Sequence, residues 1–245
     1  VADEADHQAW IFVSHSSHDI ERVREVRNYL EEKGASPLLF HLRALENPDE
    51  FWPLIEREIA SRNFFLYCES EAASASEWVQ RERAAVEAIR RERRIRIGEV
   101  RVDGDELDTE ELDAFLARTR VFPSYAVRDR PLVEPFLDEL ERAGFQVFRP
   151  ERDVAPFDSW ADVIDGELDR AAEEGWVVAF VSPASVGSEW LKSRAAASRG
   201  ARIVPVMLEP VRPPAPLDQL QWFIAWEDPA TSPRRLAEEL LAREP

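Results

Sequence analysis

The sequence predicts an α/β protein built as two tandem open parallel sheets, each with helices on both faces. Three observations carry this reading. Short apolar runs alternate with amphipathic helical stretches along the whole chain, the pattern of parallel β-α units. The pattern then repeats: "IFVSHSSHD" (Ile11 to Asp19) returns 110 positions later as "VFPSYAVRD" (Val121 to Asp129). Likewise "SASEWVQRERAA" (Ser74 to Ala85) returns 112 positions later as "VGSEWLKSRAAA" (Val186 to Ala197). Two units, 1–118 and 119–245, fit ordinary domain sizes.

Each unit opens on a buried strand, then a polar loop ending in an aspartate placed to cap a helix. The helices Ile20 to Lys33 and Arg130 to Ala143 both stop at a glycine, Gly34 and Gly144, as a left-handed helix terminus favours. Second strands follow at Pro37 to Leu42 and Phe145 to Pro150, then helices at Glu50 to Ser61 and Ser159 to Glu174. Third strands, Asn63 to Cys68 and Trp176 to Val181, lead to the matched serines Ser70 and Ser182 and then to the Ser-Glu-Trp helices. Fourth strands are Arg94 to Val102 and Arg202 to Leu208. The second unit continues through a fifth strand within Gln221 to Asp228 and a helix from Ser232 to Arg243. In the first unit a fifth strand is missing, or the helix near Glu110 to Arg118 stands in for that end.

Composition removes several function classes. With 49 acidic and 31 basic residues the net charge is -18, a field that repels nucleic acid and acidic membranes. No apolar run approaches the ~20 residues that span a bilayer. The start, "VADEADHQAW", is too polar and acidic for a secretory signal, and a single cysteine, Cys68, fits a reducing cytoplasm. Cys68 itself reads as a small core residue. The acidic run Asp103 to Asp113 and the basic run Arg90 to Arg96 read as solvated helix ends and loops.

Motif chemistry is sparse. Eight unclustered glycines hold no Walker A loop, no G-x-G-x-x-G and no G-x-S-x-G elbow. His15 and His18 lack the further ligands of a metal site and read as loop histidines; no metal and no cofactor is implied. What remains is geometric: open α/β sheets bind ligands at the carboxyl ends of strands, where strand order reverses. In the first unit that rim collects Ser14 to Ser17, His41 to Leu45, Ser70 and the helix starting near Ser76. On this helix Trp78 and Glu82 are four residues apart, hence on one face. Two readings of the pair stay open: an indole and carboxylate lining a cleft, or a core tryptophan beside a surface charge.

These residues resemble a family. "WIFVSHSSHD", "PLLFHLRALENPDEF", "REIASRNFFLYCESEAASASEWVQRERAAVEAI" and "ARIVPVML" are similar to bacterial Toll/interleukin-1 receptor (TIR) domains. "VFPSYAVRDRP", "GFQVFRPERDV" and "WVVAFVSPASVGSEWLKS" are similar to a diverged second copy. The resemblance implies two flavodoxin-like TIR domains and, in many members, cleavage of NAD+ to nicotinamide and linear or cyclic ADP-ribose. The family's essential glutamate lies four residues beyond the tryptophan, a position matched by Glu82 in the first copy and by Arg194 in the second. The loop after the second strand, "HLRALENPDE", lacks the Asp and Gly that many relatives carry there.

The implied function is an NAD+ nucleosidase, a bacterial anti-phage effector or signal generator in the cytoplasm. Glu82 is its catalytic residue and Trp78, Ser76, Ser14, His15, Ser16 and Phe40 its substrate contacts. The implied partners are NAD+, other TIR domains (the second copy or further molecules) and a sensor protein, with neither nucleic acid nor membrane. The second copy, with Arg194, is expected to be catalytically dead and to support the first. The alternative is a non-catalytic scaffold acting through TIR–TIR association.

Overall fold

A computed structural model describes residues 9–40, 51–117, 119–154, 159–186, 202–215 and 217–243. The chain divides into two compact units, residues 1–115 with 240–245, and residues 116–239. The loop from His41 to Leu45 and the second Ser-Glu-Trp helix with Arg194 lie outside the described residues.

The first unit runs β1 (Ala9–Ser14), α1 (Ile20–Glu32), β2 (Ala35–Leu39), α2 (Trp52–Ser61) and β3 (Phe64–Glu69). It continues through a short α3 (Glu71–Ala75), the long α4 (Glu77–Glu92), β4 (Arg96–Arg101) and α5 (Thr109–Ala117). Its described strands form a four-stranded parallel sheet in the order β2-β1-β3-β4. The order reverses between β1 and β3, so their carboxyl ends, at Ser14 and Glu69, flank the crevice that such topology opens.

Alternation along the strands sorts the two faces. Phe12, Phe65 and Tyr67 point into one core with Ile55 and Ile59 of α2 and Val86 of α4. On the opposite face Phe64 meets Phe115 of α5 edge-on, ring centroids 6.5 Å apart. α5 thus covers the face beside β4 without adding a strand. Gly98 of β4 is required here, since a Cβ at this position would lie 2.3 Å from the Phe115 ring. α1 buries Val23, Val26 and Leu30 at helical spacing and ends before Gly34, whose φ of 84° explains the glycine.

The second unit runs β5 (Arg120–Ser124), α6 (Arg130–Arg142), β6 (Gln146–Val147), α7 (Pro150–Asp153) and α8 (Trp160–Glu174). β7 (Trp176–Val181), α9 (Pro183–Val186), β8 (Arg202–Met207), β9 (Phe223–Ile224) and α10 (Ser232–Ala242) follow, the end of α10 from Leu240 being counted with the first unit. Its described strands form a five-stranded parallel sheet, β6-β5-β7-β8-β9. The expected second strand shrinks to Gln146–Val147, because Pro150 begins a helix. The fifth strand within Gln221 to Asp228 is likewise only Phe223–Ile224. Gly144, at φ 89°, repeats the helix stop of Gly34. The pair Phe122–Phe148, centroids 5.4 Å apart, occupies the place of Phe12–Phe40 at 6.1 Å.

One charge reading is corrected. The basic run is not wholly solvated: Arg96 is 4% exposed and donates to the carbonyls of Leu240 and Arg243, within the same unit, at 2.7 Å each. Arg93 donates to the carbonyls of Ala60 and Arg62. Cys68 is buried as expected. No helix among the described residues is long and apolar enough to cross a membrane.

Gly98→Ala should lower the unfolding free energy of the first unit by about 1–3 kcal/mol, the usual cost of overpacking against a buried ring. Urea titration followed by tryptophan fluorescence measures it; an unchanged midpoint would show that α5 yields freely.

Candidate functional site

The site is built on α4. Ser76 caps it, its hydroxyl accepting from the Val79 amide at 3.4 Å. The buried residues of the helix are Val79, Glu82 and Val86, spaced as one apolar stripe with a carboxylate in the middle. Glu82 therefore faces the sheet at a position where an aliphatic side chain would ordinarily pack. It is 6% exposed, which decides between the two readings of this residue: it is no surface charge.

β1 supplies its partner. Ser14, two residues beyond Phe12 and 1% exposed, keeps the same face of the sheet and donates its hydroxyl to Glu82 Oε2. Burial pushes the Glu82 carboxyl up to about 7, with the Ser14 hydrogen bond pulling in the opposite direction. At neutral pH the group is poised between its two protonation states, a property concentrated at functional sites.

The remaining expected residues are arranged around this pair unequally. Trp78, one turn before Glu82, is partly buried against the α2/α4 core. Phe40 packs on the same core, against Phe12. His15 Nδ1 lies 3.3 Å from the Val13 carbonyl. Ser16 is spent on local structure, its hydroxyl accepting from the His18 amide at 3.2 Å to cap the turn Ser17–Asp19. Ser14, Glu82 and Trp78 are thus brought together on one helix and one strand end, whereas Ser76 and Ser16 hold backbone.

Two features escaped the sequence reading. Trp52, at the start of α2, lies 5.7 Å from Trp78 between ring centroids, and the Arg81 guanidinium sits 4.0 Å above its ring. Arg81 is 5.4 Å from the Trp78 ring. The signal was the spacing Trp52, Ile55, Ile59, which places the indole on the buried stripe of α2. Secondly, Asp19 does not cap α1 with its side chain. Its Oδ2 instead accepts from Ser70 Oγ at 2.6 Å, while Ser70 Oγ caps α3 by accepting from the Ala73 amide. The second unit repeats this bond between Ser182 Oγ and Asp129 Oδ2, also at 2.6 Å. Ser124, in the register of Ser14, is 4% exposed, and its hydroxyl has no partner among the described residues.

Together these features define a class: a doubly wound parallel α/β domain of flavodoxin-like strand order, with a buried carboxylate at the strand ends where the order reverses. The chain belongs to the TIR domain family, which matches residues 11–119 and again 121–241. Among solved structures it is similar to the TIR domain of the Toll-related receptor TRR-2 from the lower metazoan Hydra magnipapillata. That match has a TM-score of 0.41 at 24% identity and covers 49% of this chain and 96% of that one. It is also similar to a metazoan TIR-STING receptor from C. gigas, solved in complex with 2',3'-cGAMP. There the TM-score is 0.41 at 26% identity, over 50% of this chain and 39% of that receptor. No curated protein matches the chain.

The buried carboxylate has a thermodynamic signature. Its folded-state affinity for protons exceeds that of an exposed glutamate, so its contribution to stability is full at low pH and is lost as pH rises through about 7. Glu82→Gln, a neutral near-isostere, should therefore be more stable than wild type at pH 8, by on the order of 1–3 kcal/mol. The difference should shrink towards pH 5. Paired urea titrations at the two pH values test this, and a variant destabilised at pH 8 would contradict the burial argument.

Proposed function

We propose that the first copy, residues 1–118, is an NAD+ glycohydrolase or cyclase with Glu82 as its catalytic residue. The observation that carries this reading is the Glu82 carboxylate, buried at the sheet's reversal point, hydrogen-bonded by Ser14 and one helical turn from the Trp78 indole. In this reading each residue at the rim has a part in the chemistry.

In NAD+ the pyridinium ring carries the positive charge. As the C–N bond to ribose breaks, its electron pair returns to the ring and nicotinamide leaves neutral, so no acid need protonate it. The positive charge passes to the ribose as an oxocarbenium-like cation, as in glycoside cleavage. An ionised carboxylate in a water-poor site stabilises that cation far more than it would in water. Water then bonds to the ribose carbon and loses a proton, giving ADP-ribose; an internal nucleophile in its place would give a cyclic product. Trp78 offers an aromatic face for the nicotinamide or ribose, with His15 and Phe40 at the edges.

The second copy, residues 119–245, would perform no such step. Arg194 stands in sequence where Glu82 stands in the first copy, and a permanent cation repels a developing one. The setting, an immune effector against phage in a bacterial cytoplasm, follows from the resemblance alone.

Purified protein incubated with NAD+ should release nicotinamide, measured by chromatography, and Glu82→Gln should lower the rate roughly 10²–10³-fold. Equal release by both proteins would remove Glu82 from its role. Absence of release from concentrated, assembled wild type would favour the scaffold reading instead. Since the ionised form acts, kcat/KM should fall about tenfold per pH unit below about 7. A rate that rises on acidification would reverse the assigned protonation state.

A further inference from the structure

We infer that Ser14 is a positioning residue for Glu82, holding one carboxylate oxygen so that the other is presented to the crevice in its ionised form. The inference rests on the catalytic reading of Glu82 for its functional meaning, though not for its physical content. Its basis is geometric. The Ser14 hydroxyl donates to Oε2, and an O–H that donates to a carboxylate favours the charged form over the protonated one. Ser14 is 1% exposed, so its hydroxyl is turned inward to Glu82 rather than outward to a ligand. This revises its expected role as a substrate contact.

The surroundings leave few other groups to do this work. From β3, Tyr67 pairs in register with Ser14, and its phenol is pushed above its ordinary range chiefly by burial. On α4, Arg81 is stacked on Trp52, and Arg83 pairs with Glu69 at 3.0 Å and Glu99 at 3.4 Å. His15 and His18 follow Ser14 in the loop, and His15 Nδ1 lies against the Val13 carbonyl. α2, which also packs on α4, brings Trp52, Ile55 and Ile59 to the shared core. Of all these, Ser14 alone bonds the carboxylate among the described residues.

The second unit acts as an internal control. Ser124 occupies the position of Ser14 at the end of β5, opposite β7, and is 4% exposed. Its hydroxyl has no partner among the described residues. A buried hydroxyl without a partner is unfavourable in itself, and Arg194, which stands in sequence at the Glu82 position, lies outside the described residues. A guanidinium such as that of Arg194 accepts no hydrogen bond and could not replace the carboxylate as acceptor.

The test is a ¹³C NMR titration of the glutamate carboxyls in the full chain, with Glu82 assigned by its absence from the Glu82→Gln spectrum. Wild type should titrate near 7, and Ser14→Ala should move the midpoint up by about one pH unit, a tenfold gain in proton affinity. Ser14→Cys, which retains a weaker donor, should fall between the two. Ser124→Ala should leave the Glu82 midpoint in place. A Ser14→Ala midpoint that coincides with wild type, or lies below it, overturns the inference whether or not the protein cleaves NAD+. The acid limb of nicotinamide release should move with the titration. If the titration moves but Glu82→Gln still releases nicotinamide normally, the catalytic reading fails and the positioning role stands.

Discussion

A carboxylate in an apolar helical stripe is the constraint around which the first unit is organised. Val79, Glu82 and Val86 share the buried side of α4, and a charged group there loses hydration that a single hydrogen bond only partly restores. Such an arrangement persists only where the fold supplies that bond at the right depth. Parallel β1 and β3, with Ser14 opposite Tyr67, bring a strand end and its hydroxyl under the middle of α4. Strand order, helix phase and the residue at the end of β1 must all agree for the pair to form.

The tandem arrangement separates what supports the fold from what supports the pair. Both units keep the serine-to-aspartate bond from the end of the third strand to the first loop, the helix-stopping glycines and the phenylalanine pair. These features are spent on backbone and core, and they survive where the sequence places Arg194 at the Glu82 position. The serine at the end of the first strand also survives, its hydroxyl without a partner among the described residues. The strand order and its local bonds therefore recur in a copy whose sequence lacks the carboxylate.

Much of this was legible in the sequence. Strands β3, β7 and β8 are continuous apolar runs whose limits periodicity finds within a residue or two, and the glycine stops mark the ends of α1 and α6. Asp19 and Asp129 were visible too, but as helix caps, and Ser70 and Ser182 as matched serines after the third strands, because sequence proximity suggests a local bond where the fold makes a distant one. Glu82 was ambiguous when judged by residue type, since glutamate is ordinarily a surface residue. Judged by phase, between Val79 and Val86, it was already a core position. The burial of Arg96 carried no such signal, because it depends on carbonyls more than a hundred positions away. Trp52 was hidden for a related reason: its contact with Trp78 joins two helices whose faces only the packed structure brings together.

The bond between Ser70 and Asp19 has a consequence for the four residues that precede that aspartate. Residues 15–18 run from Ser14, tied to Glu82, to Asp19, tied to Ser70, and Ser16 braces them midway through the His18 amide. A rim so short and anchored at both ends has surrendered its conformational entropy at folding. A molecule entering the crevice would find this wall already shaped and would lose little affinity in ordering it. Discrimination along this edge would then come from a rigid outline, in which the His15 and His18 rings are themselves tied, to the Val13 carbonyl and the Ser16 hydroxyl, so that a change at either would disturb the wall together with what it admits.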